Sequence, residues 1–80
     1  MSFMFEVYYK TPADVRREEA ITDRVAHRGG KLSDREGPPE PGEGPICLTY
    51  EFDELDPALA AAAALRQEGE HVEGPVDYGS

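Results

Sequence analysis

Side chains capable of acid–base and thiol chemistry alternate with apolar ones along two segments of this chain. Glu6 and Tyr8 lie in the first segment, and Cys47, Thr49 and Glu51 lie in the second. Alternation with a period of two places each group on one face of a strand. A carboxylate beside a phenol or a second carboxylate can act as a general acid and base. Glu6 and Glu51, on strands expected to be neighbours, are therefore the pair most suited to such chemistry.

Other elements are expected to add polar residues to the same face. These are Ser33 and Arg35 from one segment, and His71 and Glu73 from the C-terminal segment. The catalytic candidates are Glu6, Tyr8, Glu51 and His71. Alternating polar residues are also typical of a solvated sheet face or a subunit contact. That interpretation is favoured, and it makes Met4, Tyr8 and Thr49 candidate binding residues.

The sequence contains no motif for a metal, a nucleotide or a catalytic nucleophile. Cys47 is the single cysteine, and the two histidines, His27 and His71, belong to different predicted elements. A structural zinc site needs several such ligands at short spacings. The glycines do not form a phosphate-binding loop that opens a helix. We therefore expect neither a metal nor a cofactor.

A second candidate binding surface is basic. Arg17, Arg24 and Arg28 are predicted on the outer side of the first helix, with Arg16 and His27 nearby. Such a surface is usually solvated and paired with acidic neighbours. The alternative is that it docks an acidic surface, which would make binding weaken as salt rises.

The overall charge narrows the classes of partner. The chain has 80 residues and a formal net charge of −9, and residues 41–80 carry nine acidic side chains against one basic. A polyanionic surface repels nucleic-acid phosphates and anionic lipids, so neither is an expected partner. No apolar leader or long apolar run is present, and one cysteine cannot form an internal disulfide. These features predict a soluble cytoplasmic protein.

The first part of the chain predicts a strand followed by a helix. The aromatic-rich segment 3–9 alternates as a strand does. Thr11 and Pro12 are typical of an N-cap and a first helical residue, and Gly29 predicts the end of the helix. Its apolar side is expected to contain Val15, Ile21, Val25 and Ala26. Three polar residues interrupt that side: Asp14, Glu18 and Thr22. Fraying or a shifted rotation of the helix is the favoured explanation, and a polar contact beneath the helix is the alternative.

The middle of the chain predicts two strands joined by a loop. Segment 31–36 is short and charged, as an edge strand is expected to be. Segment 37–45 contains four prolines and three glycines, which predicts a flexible hairpin loop. Segment 46–52 alternates strictly and is the clearest strand in the sequence.

A second helix and a last strand complete the chain. Asp56 and Pro57 repeat the pattern of a cap followed by proline, and Gly69 predicts the end of the helix. The helix is rich in alanine, and its apolar side is expected to contain Leu55, Leu59 and Leu65. Segment 70–78 predicts an edge or bulged strand because it contains Gly74 and a proline. Its apolar residues are expected to lie in phase: Val72, Val76 and Tyr78. This segment could alternatively pair with a second subunit.

The order strand, helix, strand, strand, helix, strand predicts a ferredoxin-like α+β fold. This fold is a four-stranded antiparallel sheet with two helices on one face. The first and third strands are central in that topology, and here they are the most apolar. We therefore expect residues 1–80 to form one such domain.

A fold of this type does not determine a function. The favoured hypothesis is a small acidic binding or regulatory module that acts through protein–protein contact, as a homodimer through the open sheet face or as a partner for another protein. One alternative is a small dimeric α+β-barrel enzyme with an acid–base site on that face. Another is an acidic inhibitor or immunity-type protein that binds a basic target.

Overall fold

The computed structural model describes residues 2–37 and 44–77 and has the predicted ferredoxin-like α+β architecture. Its elements are β1 (Phe3–Lys10), α1 (Val15–His27), β2 (Lys31–Glu36), β3 (Pro45–Phe52), α2 (Leu55–Gln67) and β4 (His71–Asp77). The strands form one sheet in the order β2-β3-β1-β4, and every pair is antiparallel. The predicted loop over residues 38–43, and Tyr78 of the predicted last strand, lie outside the described residues.

The core lies between the sheet and the two helices. Alternate residues of β1 and β3 are buried there, as their period-two pattern predicted, and they include Phe5, Tyr50 and Phe52. From α2 the buried residues are Ala58, Ala61, Ala62 and Leu65. Alanine has no side chain beyond Cβ, so these positions allow the axis of α2 to approach the sheet closely.

Several residues predicted on the buried sides of the helices are exposed. In α1 only Ile21 and Val25 are buried, whereas Val15 is 68% exposed. Val15 is the first residue of the helix and lies beside the edge of the sheet, where little covers it. Three more residues that were predicted on the apolar sides of the helices are also exposed: Ala26, Leu55 and Leu59.

Both helices begin at different residues from those predicted. The N-cap of α1 is Asp14, whose Oδ1 accepts from the backbone N–H of Arg17 at 3.1 Å. A carboxylate satisfies an otherwise unpaired N–H at this end, so the helix begins after Asp14 and not after Thr11. Helix α2 follows Glu54, and Pro57 lies within its first turn, where proline is tolerated.

The helices end at the predicted glycines and do so in the same way. Gly29 has a φ of +90° and Gly69 a φ of +94°, which are left-handed values that favour glycine. Each donates a backbone hydrogen bond of 3.0 Å to a carbonyl of the last helical turn. The next N–H along the chain also donates to the last turn: Gly30 donates to the carbonyl of Val25, and Glu70 donates to the carbonyl of Leu65, both at 3.0 Å. This is the arrangement of a Schellman cap.

Irregularities in both edge strands correct the predicted orientation of their side chains. The register of β2 against β3 shifts between Leu32 and Asp34, so Ser33 is an extra residue. As a result Arg35 lies opposite the buried Leu48, on the helix side and not on the open face as predicted. An extra residue in one strand reverses the alternation beyond it.

The register of β4 against β1 shifts in the same manner. The shift falls between Met4 and Glu6 of β1, across from Gly74, which has a φ of +106°. Val76 therefore lies opposite Met4 on the open face and is 51% exposed. The prediction that Val76 shares a face with the buried Val72 is wrong for this reason. Strand β4 pairs with β1 of its own sheet.

Candidate binding surface on the open sheet face

The sheet face away from the helices carries three rows of side chains, set by the register of the four strands. The first row, from β2 to β4, is Asp34, Thr49, Glu6 and Glu73; the second is Glu36, Cys47, Tyr8 and His71; the third is Lys31, Glu51, Met4 and Val76. The side chains on the two central strands are half-buried, and those on the two edge strands are exposed. All four catalytic candidates and the three sheet residues predicted to bind lie on this face.

Tyr8, Glu6 and Cys47 form a hydrogen-bonded group at its centre. The Tyr8 hydroxyl donates to Glu6 Oε1 at 3.0 Å, and Cys47 Sγ lies 3.8 Å from Glu6 Oε2 and 4.0 Å from Thr49 Oγ1. Donation to the Glu6 carboxylate raises the pKa of Tyr8 well above its usual value, since ionisation would break this bond. Burial raises the pKa of the Cys47 thiol. Both groups are therefore protonated near neutral pH and are suited to hydrogen bonding.

Glu6 and Glu51 do not lie directly across from each other. Glu6 is opposite Thr49, and Glu51 is opposite Met4. The Glu51 carboxylate accepts from Ser2 Oγ at 2.5 Å. The register thus gives the two carboxylates separate partners.

His71 pairs with its own neighbour on β4. His71 Nε2 is 3.0 Å from Glu73 Oε2, and both side chains are exposed. The imidazole ring meets the Tyr8 ring edge-on, with the ring centres 5.9 Å apart. The four catalytic candidates therefore share one face but belong to three hydrogen-bonded pairs: Tyr8 with Glu6, Glu51 with Ser2, and His71 with Glu73.

The face is strongly acidic. Its described residues carry five carboxylates, from Glu6, Asp34, Glu36, Glu51 and Glu73, against one ammonium, from Lys31. Within residues 2–37 and 44–77, no three His, Cys, Asp or Glu side chains are grouped in a way that could hold a metal ion. The arrangement is suited to contact with positively charged groups.

The predicted basic surface of α1 is largely paired with acidic residues. Arg17 Nη2 is 2.8 Å from Glu70 Oε1, and its guanidinium also lies 4.8 Å from the centre of the Tyr9 ring. Arg24 forms an ion pair with Glu68. Arg28 is exposed beside the groove between the helices. These contacts agree with a solvated surface that has acidic partners.

Three residues of the open face were not predicted there, because each lies beyond an extra residue in its strand: Asp34, Glu36 and Val76. Two of the polar residues that interrupt the apolar side of α1 do make polar contacts beneath it, which was the less favoured interpretation of that pattern. Glu18 accepts from Arg35 Nε at 2.7 Å, and Thr22 bonds to Tyr50.

Comparison of the sequence with models of known protein families, and with characterised proteins, finds no match. Neither of the two helices is long and apolar enough to cross a membrane within the residues that the structure describes. The geometry of the open face is therefore the basis on which a function can be inferred.

Proposed function

We propose that this protein is a small binding module whose open sheet face docks a basic surface of a partner protein. The observation that carries this proposal is the excess of five carboxylates over one ammonium on that face. Complementary charge steers association and selects among partners. Tyr8, Met4 and Val76 add aromatic and apolar area beside the carboxylates, as a contact surface requires.

A heterologous partner suits this face better than a second copy of it. Two such faces brought together would oppose carboxylates with carboxylates, which is unfavourable in a desolvated contact. A surface rich in Lys and Arg would instead pair with them. The same charge disfavours nucleic acids and anionic lipids as partners.

The contacts of the catalytic candidates also support binding over an enzymatic function. A general acid and base must converge on one reacting atom. Here Tyr8 and His71 each bond to a different carboxylate, at 3.0 Å in both cases. Tyr8 has a raised pKa, so it remains a hydrogen-bond donor at neutral pH.

The test is a selection of random displayed peptides on the full chain, followed by affinity measurement on paired variants. We expect the selected peptides to combine Lys or Arg with apolar residues. The double variant Glu6→Gln, Glu73→Gln should weaken their binding about tenfold or more, which corresponds to roughly 1.4 kcal/mol. The double variant Glu19→Gln, Asp23→Asn removes the same charge from exposed positions on α1 and should leave the affinity within about twofold of wild type. Equal losses in both variants would refute the proposed site.

A further inference from the structure

The two edges of the sheet differ in whether their backbone groups are covered. On β4, Arg66 Nη2 donates to the carbonyls of Val72 and Gly74, both at 2.9 Å. Pro75 has no N–H to offer. On β2 all six residues are exposed and pair only with β3. Among the described residues no backbone–backbone hydrogen bond joins β2 to an element other than β3, so β2 is the edge open to another strand.

The charges along β2 are complementary to those of a second β2 strand that runs antiparallel to it. Lys31 and Glu36 lie at opposite ends of the strand and on the same sheet face, opposite Glu51 and Cys47. Neither side chain has an ion-pair partner among the described residues. Their charges have opposite sign, so an antiparallel copy would bring each beside its complement.

Apolar area is exposed on the other face of the same edge. Leu32 is 42% exposed and Val15 is 68% exposed, and both line a groove of about 360 Å³ between α1 and β2. Leu48 of β3 lies at the base of this groove. A strand added to β2 would cover part of this apolar area.

We propose that β2 pairs with β2 of a second copy, antiparallel and about a two-fold axis perpendicular to the sheet. The register that uses all six residues places Lys31 opposite Glu36 of the second copy and Leu32 opposite Arg35 of the second copy. The extra residue Ser33 then lies beside Asp34 of the second copy, so the irregularity is matched on both strands. No like charges are directly opposed, and where the register with β3 fixes the face of both residues they share it: Lys31 meets Glu36 on the open face, and Leu32 meets Arg35 on the helix side.

This pairing makes a continuous eight-stranded sheet with all helices on one side. The two grooves meet at the axis, where the aliphatic stem of Arg35 covers Leu32 of the other copy. The charges that protect β2 from unrelated strands then provide specificity for its own copy. The dimer leaves the open faces of both copies accessible on the side away from the helices. Dimerisation through β2 therefore does not depend on the partner proposed for the open face. A dimer would bind a partner that has two such sites more tightly than a monomer would, through avidity.

Charge reversal tests the pairing, with the dimer dissociation constant measured by sedimentation equilibrium. We expect the wild-type chain to dimerise. Lys31→Glu and Glu36→Lys each create two like-charge contacts, so each should raise the dissociation constant about tenfold or more. The double variant Lys31→Glu, Glu36→Lys restores opposite charges and should return the constant to within about threefold of wild type.

Two controls separate this contact from a general effect of charge. Lys10→Glu and Glu54→Lys make the same changes at exposed positions outside β2 and should not alter the dissociation constant. Thermal unfolding of each variant shows whether it folds. A wild-type chain that stays monomeric up to about 1 mM would overturn the pairing. A double variant as weak as the single ones would do the same, and neither result affects the outcome of the peptide selection.

Discussion

The hydroxyl of Tyr50, which is completely buried in the core, lies 2.8 Å from Thr22 Oγ1 on the inner side of α1. Burial raises the pKa of this phenol, so it is neutral and needs a hydrogen-bond partner. Thr22 provides that partner and joins α1 to the centre of β3. The contact explains why a polar residue interrupts the apolar side of the helix.

Replacing Thr22 with Val should destabilise the fold by about 1–3 kcal/mol, because the Tyr50 hydroxyl would be buried without a partner. Adding Tyr50→Phe removes that hydroxyl and should recover part of the loss. Urea denaturation of the four proteins in this cycle measures the coupling between the two residues. Simply additive effects would show that the hydrogen bond has little influence on stability.

Glu18 joins α1 to the edge strand β2 in a second polar contact. Its carboxylate accepts from Arg35 Nε at 2.7 Å and from Arg35 Nη2 at 3.0 Å, and it also accepts from the Tyr9 hydroxyl. The hydrogen bonds from Arg35 lower the pKa of Glu18 below its usual value of 4.5. The unfolded chain therefore binds a proton at Glu18 at a higher pH than the folded chain does.

We expect this contact to make stability sensitive to acid. Its contribution is complete above about pH 4.5 and is lost as the pH falls through the lower pKa of the folded state. Glu18→Gln should lower the free energy of unfolding at pH 7 by about 1–2 kcal/mol and should weaken the decline in acid. The matched control is Glu19→Gln, at the exposed neighbouring position. Urea denaturation at several pH values measures how the free energy of unfolding depends on pH. The expectation is wrong if Glu18→Gln and Glu19→Gln both show the same pH dependence as the wild type.

Gly30 lies where α1 turns into β2, and the space around it is filled. A Cβ placed there would overlap the ring of Phe52 and would lie 2.6 Å from Val25 Cγ1. Gly30→Ala should therefore cost about 1–3 kcal/mol through overpacking of the core. Gly37→Ala is the control, because the nearest atom to its Cβ would be Arg35 Nη1 at 3.7 Å. Thermal unfolding should show a clear decrease in midpoint for the first variant only.

Cys47 offers a chemical probe of the open face. Burial raises the pKa of its thiol, so less thiolate is present at neutral pH than in the unfolded chain. Alkylation at pH 7.5 should therefore be slower in the folded protein than in urea, after correction for the effect of urea on a small thiol. Equal corrected rates would show that the thiol is fully accessible and has an ordinary pKa.

Local patterns in the sequence were enough to predict the order of elements and the fold. The alternation in β1 and β3 identifies both central strands and their buried sides, and Gly29 and Gly69 end the helices as expected. These signals need no knowledge of distant residues, because they depend on side-chain periodicity and on backbone conformation. The starts of the helices were less predictable, since both Thr11 and Asp14 are suitable caps and only Asp14 is used.

The sequence by itself determined which residues of the central strands face outward, and so most of the candidate surface. Only the tertiary structure decided the contacts between strands. The extra residues at Ser33 and Gly74 move Arg35 to the helix side and Val76 to the open face. The register gives Glu6 and Glu51 different partners. Alternation is a property of one strand, whereas a register shift depends on hydrogen bonds between residues far apart in the chain, so it cannot be derived from either strand alone.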